Sequence, residues 1–365
     1  MRLGVEAALV AGELVSGDVE IVDTTIARYG LSSANGRGLA VPGFVDLQIN
    51  GFAGVDFLGT DSDGYARAGE GLLETGVTSY LPTFITAPEA QLVDALHTVP
   101  KTGGAGPRIL GVHLEGPFLS SFRPGVHPPE ARRDPDVAIA ARLLDAGPVA
   151  LMTIAPELPG ASELITFLRA HGVVVSCGHS DATAAEAHRA FDHGATTVTH
   201  LFNAMRPLGH RDPGIVGAAL ARPDVIVQII VDGVHLAPEV VQVVWRAAAG
   251  RVALVTDAIA AAGVGDGEFA LGDTRIDVRE GVARRAADGV LAGSVLTMLD
   301  AVRNLHALGI PIERALEAAS SVPARVLGSD RVGRIERDAP ADLVVLDDGL
   351  GIERVLVGGK TRVAA

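Results

Sequence analysis

The sequence predicts a (β/α)₈ barrel together with a small β-sandwich domain built from both termini. The central region alternates apolar runs of strand length with segments of helix length, which is typical of a parallel barrel. Hydrophobic residues make up 48% of the 365 residues, but aromatic residues only 4%. The core is therefore mainly aliphatic, which suits buried parallel strands. A chain of this length can hold such a barrel and one smaller domain.

Both ends of the chain carry short alternating segments bounded by Gly-containing turns, which favour strands. The predicted terminal strands are Ala7–Val10, Val19–Val22, Thr25–Arg28, Asp342–Leu346, Ile352–Val357 and Thr361–Val363. Neither end shows a long helical pattern. We therefore predict one β domain from residues 1–41 and 331–365, and a barrel domain from residues 42–330.

Eight apolar runs between the termini predict the barrel strands. They are Phe44–Gln48, Val77–Leu81, Ile109–Leu114, Ala150–Ile154, Val173–Cys177, Thr196–His200, Val225–Ile230 and Val252–Thr256. Predicted helices between or after them include Ala161–Ala170, Ala184–Asp192, Thr297–Ala307 and Ile312–Ala319. The second of these has a capping-box start at Thr183 and Glu186 and a glycine stop at Gly194. Residues 263–291 predict an excursion of turns and short strands.

Charge and composition exclude several classes of protein. A net charge of −14 argues against a nucleic-acid binder, which needs a basic surface, but a few placed arginines can still bind one phosphate. The single cysteine, Cys177, excludes an intrachain disulfide. We see no basic region followed by a long apolar run at the N-terminus, and no apolar run long enough to span a bilayer. We therefore expect a cytoplasmic protein without membrane partners.

Polar residues close five of the predicted strands. In (β/α)₈ barrels the active site lies at the carboxyl ends of the strands, so polar residues at those ends are site candidates. The polar segments are Gln48-Ile49-Asn50, His113-Leu114-Glu115-Gly116-Pro117, Gly178-His179-Ser180, His200-Leu201-Phe202-Asn203 and Thr256-Asp257-Ala258.

Glu115, His179 and His200 form the ligand set of a catalytic zinc site with one open position. His179 and His200 are one strand–helix repeat apart, so they lie on neighbouring strand ends and face one mouth. A metal polarises a carbonyl and lowers the pKa of a bound water, but a carboxylate must still move the proton. Asp257, at the end of the eighth strand, is placed for that role.

Each of these residues also has a structural interpretation. A single His at a strand end is commonly a hydrogen-bonded structural residue, Glu115 could be a loop residue, and Asp257 could cap the next helix. The functional interpretation is favoured because four such residues converge on one rim. His113, inside its strand, is better explained as a core residue or as a support for the metal ligands.

The motifs resemble a known family. Pro42-Gly43-Phe44-Val45-Asp46 before the first strand and Asp257 after the eighth resemble the amidohydrolase superfamily. The segments 113–119, 178–183, 199–205 and 291–294 resemble the N-acetylglucosamine-6-phosphate deacetylase family within it. The Thr199–Met205 segment is the most specific of these motifs, and the resemblance covers nearly the whole chain, including the split β domain.

This resemblance implies hydrolysis of the N-acetyl group of N-acetylglucosamine 6-phosphate to glucosamine 6-phosphate and acetate, in amino-sugar catabolism or cell-wall sugar recycling. It implies that Glu115, His179 and His200 bind the metal and that Asp257 is the acid/base.

By the same resemblance, His127 and His235 contact the sugar and His235 also helps to polarise the carbonyl. Asn203 and Ala204 bind the phosphate, and Arg211 reaches the phosphate in a neighbouring subunit of a homodimer. The alternatives are an ordinary loop histidine for His127 or His235, and a solvated surface charge for Arg211.

The first strand departs from the wider superfamily. Many members carry His-x-His there and bind a second metal, whereas this chain has Gln48 and Asn50. Neutral amides are poor ligands for a transition metal. We therefore expect one divalent metal per subunit, with zinc favoured and Fe²⁺ or another divalent ion as the alternative. Gln48 and Asn50 are then expected to hydrogen-bond the water or the substrate.

Two other functions remain open from the sequence. One is hydrolysis of a cyclic amide or an N-acyl amino acid, against which the phosphate-end residues Asn203, Ala204 and Arg211 argue. The other is a barrel that has lost catalysis and serves as a scaffold or regulator. Retention of the ligand set and Asp257 argues against that second interpretation.

Overall fold

The structure, a computed structural model, describes residues 1–33, 35–100 and 106–364, and it begins with short strands. These strands are β1 Ala7–Val10, β2 Glu13–Ser16, β3 Asp18–Val22, β4 Thr25–Leu31 and β5 Leu39–Pro42. Strands β1 and β2 are antiparallel, β5 lies parallel to β1, and β3 and β4 form a separate antiparallel hairpin. The predicted N-terminal strands are all present.

The barrel strands follow directly. They are β6 Phe44–Ile49, β9 Val77–Ile85, β10 Arg108–Ile109, β11 Val112–Glu115, β12 Val149–Ile154, β13 Val174–Cys177, β14 Thr197–Val198, β15 Ile226–Ile229 and β16 Val252–Leu254. A small hairpin of β7 Gly51–Phe52 and β8 Val55–Asp56 follows the first barrel strand. Strands β10 and β11 both pair with β9 and form one barrel position, interrupted at residues 110–111. Within the described residues there are thus eight barrel positions, as predicted.

Parallel pairing runs from β6 to β9 and β11, and then in order through β12, β13, β14, β15 and β16. The barrel closes between its eighth and first strands. The Asn50 amide donates to the Ala258 carbonyl at 2.7 Å, and the Asp257 amide donates to the Gln48 carbonyl at 2.9 Å. The (β/α)₈ prediction is therefore confirmed.

Helices separate the strands and cover the barrel. They are α1 Ser62–Glu74, α2 Glu89–Thr98, α3 Val137–Ala146, α4 Ala161–Ala170, α5 Ala184–His193, α6 Gly214–Ala221, α7 Pro238–Ala247, α8 Met298–Ala307, α9 Ile312–Ala319 and α10 Ser321–Val326. Short 3₁₀ turns lie at Phe57–Gly59 and Pro129–Ala131. Helix α5 begins with the predicted capping box of Thr183 and Glu186 and ends at Gly194, whose φ is +113°. In the part of the chain that is described, no helix is long and apolar enough to cross a membrane.

The predicted excursion after the eighth strand is a three-stranded antiparallel sheet. Its strands are β17 Gly267–Leu271, β18 Thr274–Arg279 and β19 Val282–Arg285. It packs against the barrel side that carries the end of β9, since a Cβ at Gly272 would lie 3.3 Å from Ile85 Cδ1. The excursion thereby forms part of the rim at the barrel mouth.

The chain ends in β20 Leu343–Leu346, β21 Ile352–Val357 and β22 Lys360–Ala364. Together with the N-terminal strands they form a sheet in the order β2-β1-β5-β20-β21-β22. Its inner face shares a separate apolar core with the β3–β4 hairpin, which includes Ala8, Ile21, Ile26, Val345 and Leu356. This packing supports the predicted β-sandwich of both termini. The domain limits at residues 41 and 331 stay a prediction.

Some barrel strands end earlier than predicted. Strand β14 stops at Val198 rather than His200, and β16 stops at Leu254 rather than Thr256. His200 has φ +28° and Asp257 has φ +49°, so the chain turns out of the extended region where it enters the mouth. Non-glycine residues in this region are uncommon and cluster at functional sites. Both early strand ends, and the positive-φ residues after them, lie at the barrel mouth.

Candidate active site

Glu115, His179 and His200 meet at the centre of the barrel mouth. Glu115 Oε1 lies 3.1 Å from His179 Nε2 and 2.8 Å from His200 Nε2, and the two Nε2 atoms are 3.1 Å apart. All three side chains are buried. The structure therefore brings together the three residues predicted as metal ligands, although they come from three different strands.

The donor set fits a divalent cation. Ligand atoms about 2.0–2.1 Å from a zinc ion lie roughly 3 Å from one another, close to the spacings seen here. Burial alone would raise the pKa of Glu115, but hydrogen bonds with His179 and His200 outweigh burial and place that pKa well below its usual range. A carboxylate that stays ionised between two imidazoles is suited to hold a cation.

The second ring nitrogen of His179 has a partner. Because a carbonyl only accepts, His179 Nδ1 donates to the Arg123 carbonyl oxygen, 3.1 Å away. This contact fixes the tautomer and leaves the Nε2 lone pair directed at the centre of the site, the arrangement usual for metal-binding histidines. Gly125, with φ +54°, lets the same loop pass His179, because a Cβ there would lie 2.9 Å from His179 Cε1.

His127 lies beside the three predicted ligands Glu115, His179 and His200, which form the metal-ligand cluster. The Thr86 amide donates to His127 Nδ1 at 3.2 Å, so Nε2 carries the proton in the neutral ring. That Nε2 lies 3.7 Å from Glu115 Oε2. Burial lowers the pKa of His127 well below its usual value. His127 therefore offers a neutral hydrogen-bond donor to the cavity.

Asp257 is buried just after the eighth barrel strand, β16. Its Oδ1 accepts a hydrogen bond from Asn50 Nδ2 at 2.7 Å. Burial, assisted by the negative charge of Glu115, raises the pKa of Asp257 to about 7 in the protein without a cation. A carboxyl group of this kind can both accept and return a proton near neutral pH.

Gln48 and Asn50 each use one end of their amide. Gln48 Nε2 donates to Glu115 Oε1 at 3.0 Å, as Asn50 Nδ2 donates to Asp257. The oxygens Gln48 Oε1 and Asn50 Oδ1 are buried and have no hydrogen-bond partner among the described residues. The two amides therefore orient acidic side chains and keep unfilled acceptors within the site.

His235 is held by a turn that follows the seventh barrel strand, β15. Asp232 accepts hydrogen bonds from the amides of Val234 and His235 at 2.8 Å, and from His235 Nδ1 at 2.7 Å. Burial would raise the pKa of Asp232, but the bond from His235 outweighs it and lowers that pKa. An ionised Asp232 thus fixes the ring of His235.

The side chains of Glu115, His179, His200 and Asp257 line one cavity of about 480 Å³. Of the predicted substrate residues, Asn50, His127, Asn203, Ala204 and His235 line it. Three residues of the 200–204 turn have positive φ, and Asn203 Nδ2 donates to the His200 carbonyl at 3.2 Å. The turn thereby presents Asn203 and Ala204 beside the metal-ligand cluster.

Two predicted residues lie outside the lining. Gln48 lies beneath the cavity, fully buried. Arg211 is exposed, contacts His210 and is not among the residues that line the cavity of its own subunit.

The sequence did not single out several lining residues. Among them are Arg123 and Phe122 from the loop after the third strand, and Leu271, Arg285 and Val290 from the excursion. Arg123 pairs with Asp181 at 2.7 Å, and Arg285 pairs with Asp288 at 2.7 Å. Nothing in the strand-end pattern marks these residues, because the paths of long loops bring them to the cavity. The Asp232-Gly233-Val234-His235 spacing, by contrast, could have indicated a side-chain-capped turn.

Comparison with known proteins places this geometry in a family. Residues 39–362 match the model of the amidohydrolase family. The chain is 42% identical over 341 residues to the N-acetylglucosamine-6-phosphate deacetylase of Homo sapiens, covering 89% of this chain and 83% of that protein. It is 36% identical over 329 residues to an N-acetylgalactosamine-6-phosphate deacetylase of Escherichia coli, covering 88% of this chain and 87% of that protein.

A solved structure is similar over the whole chain. It is an Asp-to-Ala variant of the N-acetyl-D-glucosamine-6-phosphate deacetylase of Mycobacterium smegmatis in complex with N-acetyl-D-glucosamine 6-phosphate. It is 38% identical in sequence, has a TM-score of 0.95, and matches over 100% of this chain and 99% of its own.

Proposed function

The chain belongs to the amidohydrolase family, and we propose that it is an N-acetylglucosamine-6-phosphate deacetylase. It hydrolyses the N-acetyl group of N-acetyl-D-glucosamine 6-phosphate and releases glucosamine 6-phosphate and acetate. One observation carries the proposal: Glu115, His179, His200 and Asp257 converge in one cavity. Relatives of the chain at about 40% identity are named for this reaction.

The metal is the first part of the mechanism. We propose that Glu115, His179 and His200 hold one divalent cation per subunit, with zinc favoured by this nitrogen and oxygen donor set and Fe²⁺ as the alternative. When bound, the cation supplies a Lewis acid for the amide carbonyl and lowers the pKa of a water molecule. The amides of Gln48 and Asn50 replace the imidazoles that a second metal would need, which supports a single ion.

Asp257 carries the proton in this mechanism. Its carboxylate takes a proton from the attacking water and then donates it to the sugar nitrogen as the C–N bond breaks. The hydrogen bond from Asn50 to Oδ1 leaves Oδ2 for this transfer. His235 donates from Nε2 to the carbonyl oxygen as negative charge develops there. Because its Nδ1 donates to Asp232, this second bond requires the doubly protonated ring, whose charge the Asp232 carboxylate balances.

The remaining residues bind the sugar and its phosphate. His127 offers its Nε2–H to a sugar hydroxyl, and Asn203 and Ala204 offer donors to the phosphate. We propose that Arg211 of the partner subunit completes the phosphate site in a homodimer. Its exposed position in the single subunit is compatible with that role.

Acetate release from N-acetylglucosamine 6-phosphate, before and after chelation, tests the proposal. We expect activity to be lost with the chelator and restored by one equivalent of metal per subunit. We also expect much weaker hydrolysis of N-acetylglucosamine without its phosphate. Equal rates on the two sugars would contradict the phosphate site, and two ions of comparable affinity would contradict the single-metal site.

The galactosamine epimer is the second candidate substrate, because one relative is named for it. Identity to the human glucosamine enzyme is higher, at 42% against 36%. We therefore expect a larger kcat/KM for N-acetylglucosamine 6-phosphate. Measuring both epimers under one set of conditions decides between them.

A further inference from the structure

We propose that Asp46 is a positioning residue whose hydrogen bonds to Thr256 hold the first barrel strand, β6, against the eighth, β16. These bonds, the Asp46–Thr256 clasp, thereby fix Asp257 and its partner Asn50. Asp46 lies at the base of the site and contacts neither the metal-ligand cluster nor the cavity. The proposal rests on the proposed function, because its readout is the rate of the deacetylation that Asp257 serves.

The seam between these two strands is the weak point of the barrel. The first strand, β6, forms a parallel ladder with β9 on one side. On its other side, the described backbone bonds to the end of the eighth barrel strand lie at the mouth. The Asn50 and Gly51 amides donate to the Ala258 carbonyl, and the Asp257 amide donates to the Gln48 carbonyl. Those few bonds join the segments that carry Asn50 and Asp257.

Asp46 supplies side-chain bonds across this seam. Its Oδ2 accepts from the Thr256 hydroxyl at 2.6 Å, and its Oδ1 accepts from the Thr256 amide at 3.3 Å. The same Oδ1 accepts from the Gln48 amide at 3.2 Å, within its own strand. Asp46 is completely buried, so these bonds do not compete with solvent and loss of one leaves a buried group unsatisfied.

The residue that follows the clasp is Asp257, whose backbone needs support. Its φ of +49° is unfavourable for a non-glycine residue and persists only when the surroundings impose it. Asp46 holds Thr256 from one side. From the other side Ser294 Oγ donates to the Thr256 carbonyl at 2.5 Å, and the Ser294 amide donates to the Asp257 carbonyl at 2.8 Å.

The first strand is fixed by the same contacts. The backbone amide of Gln48 donates to Asp46. The side-chain amide of the same Gln48 orients Glu115, and that of Asn50, two residues later, orients Asp257. A shift of β6 against β16 would therefore change the direction of the Asp257 carboxylate. Misplacement of a reacting group by about 1 Å can reduce a rate by roughly 100-fold.

Thr256→Val tests the clasp, because valine keeps the shape of threonine and removes the hydroxyl donor. We expect kcat on N-acetylglucosamine 6-phosphate to fall roughly 10- to 100-fold, with KM and metal content close to those of the unaltered enzyme. Thr256→Ser, which keeps the hydroxyl, should retain kcat within a few-fold.

The matched control is Thr197→Val, since Thr197 is equally buried and donates to the Ile226 carbonyl of a neighbouring strand at 2.8 Å. It should lower thermal stability and leave kcat unchanged.

Three outcomes would overturn the proposal: an unchanged kcat in Thr256→Val, an equal loss of kcat in Thr256→Ser, or an equal loss in Thr197→Val. If Thr256→Val does not fold, Asp46→Asn gives the same test, because an amide keeps only one of the two accepting oxygens. Failure of the unaltered enzyme to release acetate would instead contradict the proposed function, so the two failures are distinguishable.

Discussion

Asp257 combines burial, a negative neighbour and one hydrogen bond, and these features suit a residue that transfers a proton. Asp257→Asn keeps the volume and the oxygen that accepts from Asn50, but removes the base. We expect kcat to fall roughly 10²- to 10⁴-fold, while the metal and the substrate still bind. Steady-state kinetics, metal analysis and substrate titration check this. A near-normal kcat would rule out the acid/base role.

Gly125 is a residue whose missing side chain matters. In Gly125→Ala the new methyl would lie 2.9 Å from His179 Cε1, in addition to the cost of φ +54°. We expect a loss of about 1 kcal/mol in unfolding free energy and a loss of metal affinity of roughly 10- to 100-fold, as for damage to the groups that orient a ligand. Competition with a chelator measures the affinity.

The control for Gly125 is Gly172→Ala. Gly172 also has positive φ, at +77°, but no atom lies within 4 Å of the added Cβ. It should show a stability loss without the change in metal affinity. Equal metal affinity in the two variants would show that the loop does not position His179.

At the residue scale, the meeting of the four site candidates could be predicted because strand ends of a barrel converge by topology. Glu115, His179, His200 and Asp257 needed only strand boundaries and residue types. The contact from His179 to the Arg123 carbonyl could not be predicted, because it depends on how the loop folds back over the mouth. The clasp of Asp46 needed the register of the seam, which no local pattern encodes.

At the element scale, the excursion β17–β19 forms one wall of the cavity. Arg285 lines it, with Nε and Nη2 held by Asp288 at 2.8 Å and 2.7 Å. These two bonds do not use Arg285 Nη1, and a guanidinium in the cavity lining suits an anionic substrate. We expect Arg285→Ala to raise KM for N-acetylglucosamine 6-phosphate roughly 10-fold, the effect of one lost charge-assisted bond, with little change in kcat.

Arg279→Ala, on strand β18 of the same excursion, is the matched control, because Arg279 is exposed and does not line the cavity. Its KM should match that of the unaltered enzyme. If both variants behave alike, the excursion contributes only general charge and no specific contact.

The elements themselves were largely predictable. Ala161–Ala170 and Ile312–Ala319 have the predicted bounds, since their apolar spacing and flanking residues mark both ends. The ends of β14 and β16 were predicted two residues too late, because the β-branched residues Thr199, Val255 and Thr256 continue a strand-like pattern after the backbone leaves the strand. The interruption at residues 110–111 was missed because Gly111, with φ +125°, breaks the pairing within an otherwise strand-like segment.

At the scale of the whole molecule, Asp342 joins the terminal sheet to the barrel. It is buried and accepts from Arg108 Nε at 2.6 Å and from the Gly358 amide at 2.7 Å. We expect Asp342→Ala to lower the free energy of unfolding by about 1 kcal/mol, because the half-buried Arg108 and the Gly358 amide lose their shared acceptor. Acetate release per folded molecule should not change. Urea unfolding measures the loss.

Glu89→Ala provides the comparison for Asp342, because Glu89 forms an ion pair with Arg142 at the surface. Exposed pairs contribute little to stability, so no measurable change is expected. A loss as large as that of Asp342→Ala would mean that ion pairing in general, and not the junction of the two sheets, stabilises the chain.

The proposed homodimer can be tested by mixing two defective subunits. Arg211→Ala removes the residue that the partner's site needs, and Asp257→Asn inactivates a subunit's own site. In a mixed dimer, the subunit that keeps Asp257 receives an intact Arg211 from its partner, so one complete site forms. Equal random mixing should then restore about a quarter of the normal activity, because half of the dimers are mixed and each has one complete site. Each variant alone should stay weak, and light scattering should show a dimer. If Arg211 instead serves the site of its own subunit, mixing restores nothing, because no subunit then holds both residues.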